Sequence, residues 1–215
     1  SIRRFEMKVL MINGSCNENG CTFTALSEVA GVLHDEGIET EIIQLGKGAY
    51  KDCIGCGACH KMKNNRCVFD DDIINRIIEK AEQADGFVFG SPVYYAHPSA
   101  RLLAVLDRVF YAGSRVFAFK PGAAVVSSRR AGTTASLDVI NKYFTIARMP
   151  VVSSTYWNNV HGSRSEEVTE DKEGLQTMRN LGRNMAWALK CIDNAKKNGL
   201  AAPQNESGAR TNFIR

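Results

Sequence analysis

Short apolar runs alternate with amphipathic segments along most of the chain, and this alternation limits the possible folds more than any other feature. The runs predict five strands, over 8–12, 40–45, 86–90, 123–127 and 151–154. Apolar residues at steps of three and four predict helices over 22–36, from 73 onward, and over 99–110, 134–148 and 170–198. Strands that alternate with helices form a parallel sheet with helices on both faces. The predicted fold class is therefore α/β, a doubly wound domain of three layers.

The predicted domain covers residues 1–198, with a cysteine-rich insertion at 46–70. The remaining segment, 199–215, has little apolar periodicity and is not expected to order by itself. A second subunit can hold such a tail, with Phe213 and Ile214 as the anchoring side chains. We therefore expect a homodimer or a homotetramer, and docking of the tail on its own subunit is the alternative.

The composition excludes several classes of protein. The 215 residues are 44% hydrophobic and 23% charged, which is typical of a globular chain and not of a disordered one. The net charge is +4 and the 27 basic residues form no continuous run, so nothing indicates binding to nucleic acid. The apolar run at 9–12 is too short for a signal peptide or a membrane span. We expect a cytoplasmic protein without a membrane partner.

The loop after the first predicted strand runs from Gly14 to Thr22 and leads directly into a helix. Small residues, hydroxyl groups and a helix N-terminus form an anion site, because free backbone N–H groups converge there. A Walker A motif is excluded by the missing lysine, a Rossmann motif by Cys16 in place of glycine, and a phosphatase loop by Thr22 in place of arginine. A site for a single phosphate remains, with an ordinary solvated turn as the alternative.

Three further loops follow predicted strands at the same edge of the sheet, where doubly wound proteins bind ligands. Segment 91–99 carries Tyr94 and Tyr95 between two prolines, and its flat apolar faces suit a planar aromatic ligand. Segment 127–134 carries two arginines and several hydroxyls before a helix, which favours an anion or an electronegative ring edge. Segment 156–162 adds large aromatic residues. Each loop alone has an ordinary surface or core segment as its alternative, but together the four indicate a binding site.

The motifs in these loops resemble those of one known family. They are Asn13-Gly14-Ser15, Gly20-Cys21-Thr22, Gly90-Ser91-Pro92-Val93-Tyr94-Tyr95, Leu106-Asp107-Arg108, Arg129-Arg130-Ala131-Gly132 and Ser154-Thr155-Tyr156-Trp157, with a cysteine run at 53–67 ahead of three aspartates. Over most of 8–190 the sequence is similar to the flavodoxin-like NADPH-dependent FMN reductase family, including its iron–sulfur flavoproteins. The resemblance implies FMN as cofactor, NAD(P)H as electron donor and a flavodoxin-like sheet of five parallel strands in the order 2-1-3-4-5.

The resemblance also implies which residues bind the cofactor. The FMN phosphate is expected at Ser15, Asn17, Gly20, Cys21 and Thr22, and the isoalloxazine ring at Pro92, Val93, Tyr94 and Tyr95. The residues expected to cover the ring or to meet NAD(P)H are Ser128, Arg129, Arg130, Gly132 and Thr133. No side chain is predicted to be catalytic, because hydride transfer takes place at N5 of the flavin.

The first loop departs from the family pattern. Family members often carry Pro, Arg and Asn where this chain has Cys16, Asn17 and Cys21. Loss of the arginine removes a charge-assisted contact to the phosphate, so we expect a lower affinity for FMN. Beside a phosphate and a helix N-terminus, exposed thiols at Cys16 and Cys21 would have lowered pKa values.

Four of the seven cysteines lie close together in the insertion, at Cys53, Cys56, Cys59 and Cys67. Two-residue gaps let three thiolates converge on one iron–sulfur cluster, and a more distant fourth can complete it. A zinc site usually has two separated Cys-x-x-Cys pairs, and the second pair is missing here. The spacing resembles the [4Fe–4S] site of the iron–sulfur flavoproteins, with free thiols and zinc as the alternatives. Since the insertion leaves the second strand at the cofactor edge, we expect it within electron-transfer reach of a flavin.

These observations lead to one functional hypothesis and two alternatives. The chain is expected to be an FMN-dependent NAD(P)H oxidoreductase that passes electrons to a small-molecule or protein acceptor. The first alternative is a flavodoxin-like electron carrier, which the net charge of +4 disfavours because such carriers are typically acidic. The second alternative is a redox or metal sensor based on the cysteines.

Overall fold

The apolar runs form the strands of a parallel sheet in the computed structural model, which describes residues 7–213. The strands are β1 (Lys8–Asn13), β2 (Glu39–Gln44), β3 (Gly86–Tyr94), β4 (His97–Pro98), β5 (Gly122–Ser128) and β6 (Asn159–His161). Strand β4 has two residues and pairs antiparallel with the end of β3. The other five are parallel and lie in the order β2-β1-β3-β5-β6. With β4 left aside this is the predicted order 2-1-3-4-5, and the predicted fold class is confirmed.

The helices cover both faces of the sheet. They are α1 (Cys21–Asp35), α2 (Ala58–Met62), α3 (Ile74–Gln83), α4 (Ala100–Phe117), α5 (Thr133–Ile146), α6 (Ser165–Glu170) and α7 (Lys172–Lys197). Five of them were predicted, whereas α2 and α6 were not. These two helices have five and six residues, too few for an apolar period to show.

Alternate residues of the strands enter two separate cores. Leu10 and Ile12 of β1 belong to the core formed with α3, α4 and α5. Val9 and Met11 point to the other face and belong to the core formed with α1 and α7. Because both faces of β1 are buried, the strand reads in the sequence as a continuous apolar run rather than as an alternating one.

The fifth predicted strand, 151–154, is wrong. Val151 forms one isolated bridge to Gly122, and regular pairing with β5 resumes eight residues later in β6. Between them the chain leaves the sheet, and the hydroxyl of Ser154 donates to the Tyr156 carbonyl at 2.8 Å and lies 2.6 Å from Asn158 Oδ1. These local bonds from a serine compete with strand pairing, so two valines do not extend into a strand.

The segment after α7 has no regular secondary structure up to residue 213, and its residues are exposed. The side chain of Phe213, one of the two predicted anchors, is 91% exposed, and Ile214 lies outside the described residues. Anchoring of this tail by a second subunit therefore stays a prediction. Among residues 7–213, no helix has the length and apolar character that crossing a membrane requires.

Candidate functional site

The ends of β1, β3 and β5 meet at one edge of the sheet, and hydrogen bonds tie together the loops that follow them. The N–H of Gly14 donates to the carbonyl of Gly90 at 2.8 Å, and the hydroxyl of Ser99 donates to the carbonyl of Gly14 at 2.8 Å. A Cβ atom at Gly14 would lie 2.9 Å from the Gly90 oxygen, so this approach requires glycine. The hydroxyls of Thr22 and Ser127 are 2.8 Å apart and join α1 to the end of β5. The structure thus brings together three of the four loops that the sequence predicted at this edge, whereas the fourth segment, 156–162, contains strand β6 and does not follow a strand at 151–154.

The amide side chains of Asn13 and Gln44 form hydrogen bonds to residues 14–20, here called the phosphate loop. Asn13 Oδ1 accepts the N–H of Ser15 at 3.1 Å. Gln44, at the end of β2, accepts Asn13 Nδ2 at 2.5 Å and donates its Nε2 to the carbonyl of Ser15 at 2.7 Å. Asn17 in turn donates its N–H to the hydroxyl oxygen of Ser15 at 3.1 Å. Hydrogen bonds from β1 and β2 and within the loop therefore shape it.

Unpaired hydrogen-bonding groups lie at this edge. The N-cap of α1 is Gly20, and no side chain caps the helix. The first N–H groups of a helix have no intrahelical acceptor and carry the positive end of its dipole, so they attract a phosphate. The hydroxyl of Ser128, at the end of β5, is buried and has no partner within the described residues. These groups fit the phosphate and polar edge of FMN.

The loop between β3 and β4 forms a tight turn with a strained backbone. Tyr95 and Ala96 both have positive φ, at 51° and 60°, as a two-residue hairpin turn of type I′ requires. Tyr95 is fully exposed and Tyr94 is half exposed. Gly132, at the end of the loop after β5, lies so close that an added Cβ would be 2.7 Å from the Cα of Ala96. The two loops predicted to hold the flavin ring are therefore in contact.

The arginines of the loop after β5 remain open to solvent. Arg129 and Arg130 are both exposed, and the buried Ser128 precedes them. Gly132, in the left-handed region with φ of 88°, caps α5, whose first residue is Thr133. Arg129 and Arg130 therefore lie beside the contact between Gly132 and Ala96, where an anionic ligand can reach them.

Sequence reasoning missed two cations next to the phosphate loop. A cavity of about 840 Å³ lies between this loop and the segment 163–166, and Lys47 and Arg164 line it. Lys47 follows β2, and Arg164 precedes α6 and forms an ion pair with Glu167 at 3.4 Å. No local signal in the sequence identifies them, since only the strand order brings their loops to the phosphate loop. Glu18 and Glu166 line the same cavity, so the two cations lie among carboxylates there.

Neither thiol of the first loop is fully exposed, and exposure was the condition for the predicted lowering of the pKa. Cys21 is half-buried, and its Sγ donates to the carbonyl of Gly162 at 3.4 Å. Burial raises the pKa of Cys21, and the negative charges of Glu167 and Glu166 raise it further. Cys16 is also half-buried, with its Sγ 4.0 Å from the hydroxyl of Tyr94. The lowered pKa was predicted for an exposed thiol, and at the half-buried Cys21 desolvation outweighs the helix N-terminus.

The four clustered cysteines line a second cavity, of about 500 Å³. Cys53, Cys56, Cys59 and Cys67 are all free thiols. Within residues 7–213, no three side chains of Cys, His, Asp or Glu are grouped so that they could hold a metal ion. The structure therefore places the four predicted ligands on one cavity without bringing them to one point.

Cys67 is the one cysteine of this group that is held firmly. Its N–H donates to Asn75 Oδ1 at 2.8 Å, and its Sγ lies 3.5 Å from the guanidinium of Arg108. Arg108 is 2% exposed, pairs with the carboxylate of Asp72 and also donates to the carbonyl of Phe69 at 3.4 Å. Burial lowers the pKa of Arg108, but its bonds to Asp72 and Cys67 outweigh this and raise it. The buried guanidinium thus anchors one end of the insertion.

Comparison with known proteins gives consistent matches. The family model for NADPH-dependent FMN reductase matches residues 7–163. An iron–sulfur flavoprotein of Methanocaldococcus jannaschii is 34% identical, over 86% of this chain and 99% of its own length. An iron–sulfur flavoprotein of Methanosarcina thermophila is 30% identical, over 86% of this chain and 97% of its own length. The family that the sequence motifs resemble is confirmed, with its iron–sulfur flavoprotein subgroup.

Solved structures show the same fold at low sequence identity. A flavone reductase matches with a TM-score of 0.68 and 20% identity, covering 88% of this chain and 65% of its own. A flavodoxin from the domain Archaea matches with a TM-score of 0.58 and 15% identity, covering 86% of this chain and 99% of its own. The fold is therefore flavodoxin-like, and the family match identifies the chain as a flavin-dependent redox protein. FMN is the flavin that the family supports.

Proposed function

We propose that this chain, which belongs to the NADPH-dependent FMN reductase family, is an FMN-dependent oxidoreductase that accepts electrons from NAD(P)H and passes them to a small-molecule or protein acceptor. The observation that carries the proposal is the edge where the phosphate loop is bonded to Gly90 of β3 and the turn at 94–97 is in contact with Gly132. A phosphate site and a flat aromatic turn at one edge match the two ends of FMN. Exposed arginines beside them match an anionic electron donor.

The phosphate loop would bind the FMN phosphate through its backbone. The hydroxyls of Ser15 and Thr22 are engaged with Asn17 and Ser127, so their main role is to shape the loop. The N–H groups at the start of α1 would donate to the phosphate oxygens. Lys47 and Arg164 would add positive charge from the cavity beside the loop.

The ring of FMN would lie against the turn that follows β3. Pro92 and Val93 at the end of β3 are half-buried, and Tyr94 presents a half-exposed ring. Bound FMN supplies the chemistry, because its N5 accepts a hydride and the reduced ring releases electrons. The chain's own task is to hold the ring in place and to leave one side open for the donor. Arg129 and Arg130 would bind the phosphates of NAD(P)H.

We further propose that Cys53, Cys56, Cys59 and Cys67 hold a [4Fe–4S] cluster. Four thiols without disulfide partners line one cavity, and thiolate is the ligand that such clusters require. Segment 53–59 would have to move toward Cys67 for all four to bind. Arg108 would offset part of the negative charge of the four thiolates.

We also propose that the chain is a homodimer or a homotetramer. The support is the tail after α7, whose Phe213 has 91% of its side chain exposed in the isolated chain. Sedimentation at micromolar concentration is expected to give a mass above the 23.7 kDa of one chain. A mass of one chain would contradict the proposal.

The function is tested by adding NADPH, and separately NADH, to the purified flavoprotein without oxygen. We expect the visible absorption band of the oxidised flavin to disappear with at least one of the two donors. A flavin that stays oxidised with both donors but is reduced by dithionite would identify an electron carrier instead. Cysteines that remain reactive in a chain that binds no FMN would identify a sensor.

The proposed donor site has a matched control. Replacing Arg129 and Arg130 together by alanine is expected to raise the KM for NADPH about tenfold or more, because charge-assisted bonds to phosphate are lost. Replacing Lys61 and Lys63, two exposed cations of the cysteine insertion, is expected to leave that KM unchanged.

A further inference from the structure

Gln44 connects strand β2 to the phosphate loop, although it lies 29 residues after Ser15 in the chain. It stands directly opposite Asn13 in the register of β1 and β2. Its Oε1 accepts from Asn13 Nδ2, and its Nε2 donates to the carbonyl of Ser15. Both ends of this amide are therefore committed to the loop and to the residue that supports it.

The bond to Ser15 determines the direction of the next N–H group. A peptide unit is planar and trans, so its carbonyl and its N–H point to opposite sides. Since Gln44 holds the carbonyl of Ser15 on its own side, the N–H of Cys16 points away from Gln44. Asn13 fixes the preceding peptide as well, because its Oδ1 accepts the N–H of Ser15. Rotation of the Ser15–Cys16 peptide would break the bond from Gln44.

The N–H of Cys16 is free to bind a ligand. Within residues 7–213 it has no hydrogen-bond acceptor, whereas the N–H groups of Ser15 and Asn17 on either side of it both have one. A backbone N–H is a strong donor that rarely stays unpaired, so a ligand is expected to use it. A phosphate oxygen at the N-terminus of α1 is a suitable acceptor.

We propose that Gln44 is a positioning residue that turns the Cys16 N–H toward the phosphate of FMN and so makes the site prefer FMN over riboflavin. The proposal rests on FMN being the cofactor. Gln44 does not itself touch the phosphate in this role. It acts by holding the peptide whose N–H does, and riboflavin, which has no phosphate, gains nothing from that N–H.

The test compares the dissociation constants of FMN and riboflavin for the flavin-free protein, measured by quenching of flavin fluorescence. Gln44→Leu removes both hydrogen bonds of the side chain at similar volume. We expect FMN to bind about tenfold more weakly, as for one lost bond to a charged group, and riboflavin to bind as to the wild type. Thr40→Val, on the same face of β2, is the matched control and is expected to change neither constant.

A second variant keeps the test valid should Gln44→Leu not fold. Gln44→Met keeps the length of the side chain without its hydrogen bonds and adds no charge that would itself repel the phosphate, so it too is expected to lose affinity for FMN and not for riboflavin. An equal loss of both ligands would overturn the proposal and assign Gln44 to the fold in general. Unchanged FMN affinity in both variants would overturn it as well.

Failure of the proposed function gives a different result. A wild-type chain that binds neither flavin would contradict FMN as cofactor and the role of Gln44 together. A wild-type chain that binds riboflavin as tightly as FMN would show that no phosphate contact stabilises the complex. That result would overturn the role of Gln44 and leave flavin binding in place.

Discussion

The phosphate loop and the cysteine insertion follow neighbouring strands, yet the chain holds them very differently. The phosphate loop is bonded to β2 through Gln44, to β3 through Gly90 and to α4 through Ser99. In the insertion, residues 52–63 form hydrogen bonds only within their own segment, as far as the described chain shows. The insertion is anchored at its far end, by Arg108 and Asn75 at Cys67.

Because of this difference, we expect the two sites to need different amounts of rearrangement when their ligands bind. Donors that are already oriented lose little freedom when a phosphate binds, so the phosphate loop is preorganised. The cysteines share a cavity but do not converge, so cluster binding would have to order 53–59 and spend part of its free energy on that ordering. One site is formed by folding, and the other would be completed by its metal.

Replacing Arg108, which anchors the cysteine insertion, is expected to have the largest effect on stability. Arg108→Met leaves Asp72, whose side chain is 15% exposed, without its cation, and the free energy of unfolding should fall by about 3–5 kcal/mol in urea titration. Arg66→Met is the control: it breaks the exposed ion pairs of this insertion residue with Asp70 and with Glu79 of α3, and it should change stability little. Equal effects of the two variants would show that Arg108 does not anchor the insertion.

The second-largest loss of stability is expected at Gly14, where the phosphate loop approaches β3 closely. Gly14→Ala places a Cβ 2.9 Å from the Gly90 oxygen and from Leu102 Cβ, so we expect a loss of about 1–3 kcal/mol in stability and weaker FMN binding. Gly31→Ala, in α1, has no atom within 4 Å of the added Cβ. It should stabilise the chain by about 0.5–1 kcal/mol. The same sign for both variants would contradict the close approach.

Iron binding should depend on the anchored cysteine. Cys67→Ala is expected to reduce the iron bound after anaerobic reconstitution with iron and sulfide, because a cluster that lacks one thiolate must recruit a substitute. Cys191→Ser removes an exposed thiol of α7 and should leave the iron content unchanged. FMN content should stay the same in both. Wild-type protein that takes up no iron would refute the cluster and leave the flavin site unaffected.

The thiol of Cys21 should be alkylated more slowly than an exposed thiol. Thiolate is the reactive form, and a raised pKa lowers the thiolate fraction at any pH below it. Because burial raises the pKa of Cys21, its alkylation by iodoacetamide at pH 8 should be slower than that of Cys191 in the flavin-free protein. The alkylation rate of Cys21 should reach half of its maximum at a pH above the ordinary pKa of a cysteine thiol. Faster reaction at Cys21 would mean that the helix N-terminus outweighs burial.

The sequence was sufficient to predict those parts of the site that follow directly from strands. Buried parallel strands read as continuous apolar runs, so the positions of the loops at 14–22, 91–99 and 127–134 could be predicted with the order of elements. Gln44 could not be identified, because its role depends on which residue of β2 stands opposite Asn13. Such cross-strand contacts have no local sequence signal.

The errors have physical causes of the same kind. The predicted fifth strand failed because hydroxyl bonds of Ser154 turn the chain away from the sheet. The burial of Cys21, which raises the pKa of its thiol, could not be predicted because the segment that covers it, 162–167, is distant in the chain. Lys47 and Arg164 were missed because only the folded chain brings them to the phosphate loop.

The most direct test of a flavin site formed by the strand ends alone is FMN binding by a chain that cannot bind a cluster. Cys53, Cys56, Cys59 and Cys67 are all changed to serine, and the flavin-free protein is titrated with FMN. We predict one FMN per chain with the wild-type dissociation constant, because no contact within the described residues joins these thiols to the phosphate loop. FMN affinity that falls about tenfold or more, or is lost, in a variant that keeps the wild-type free energy of unfolding would contradict a flavin site independent of the cysteine insertion.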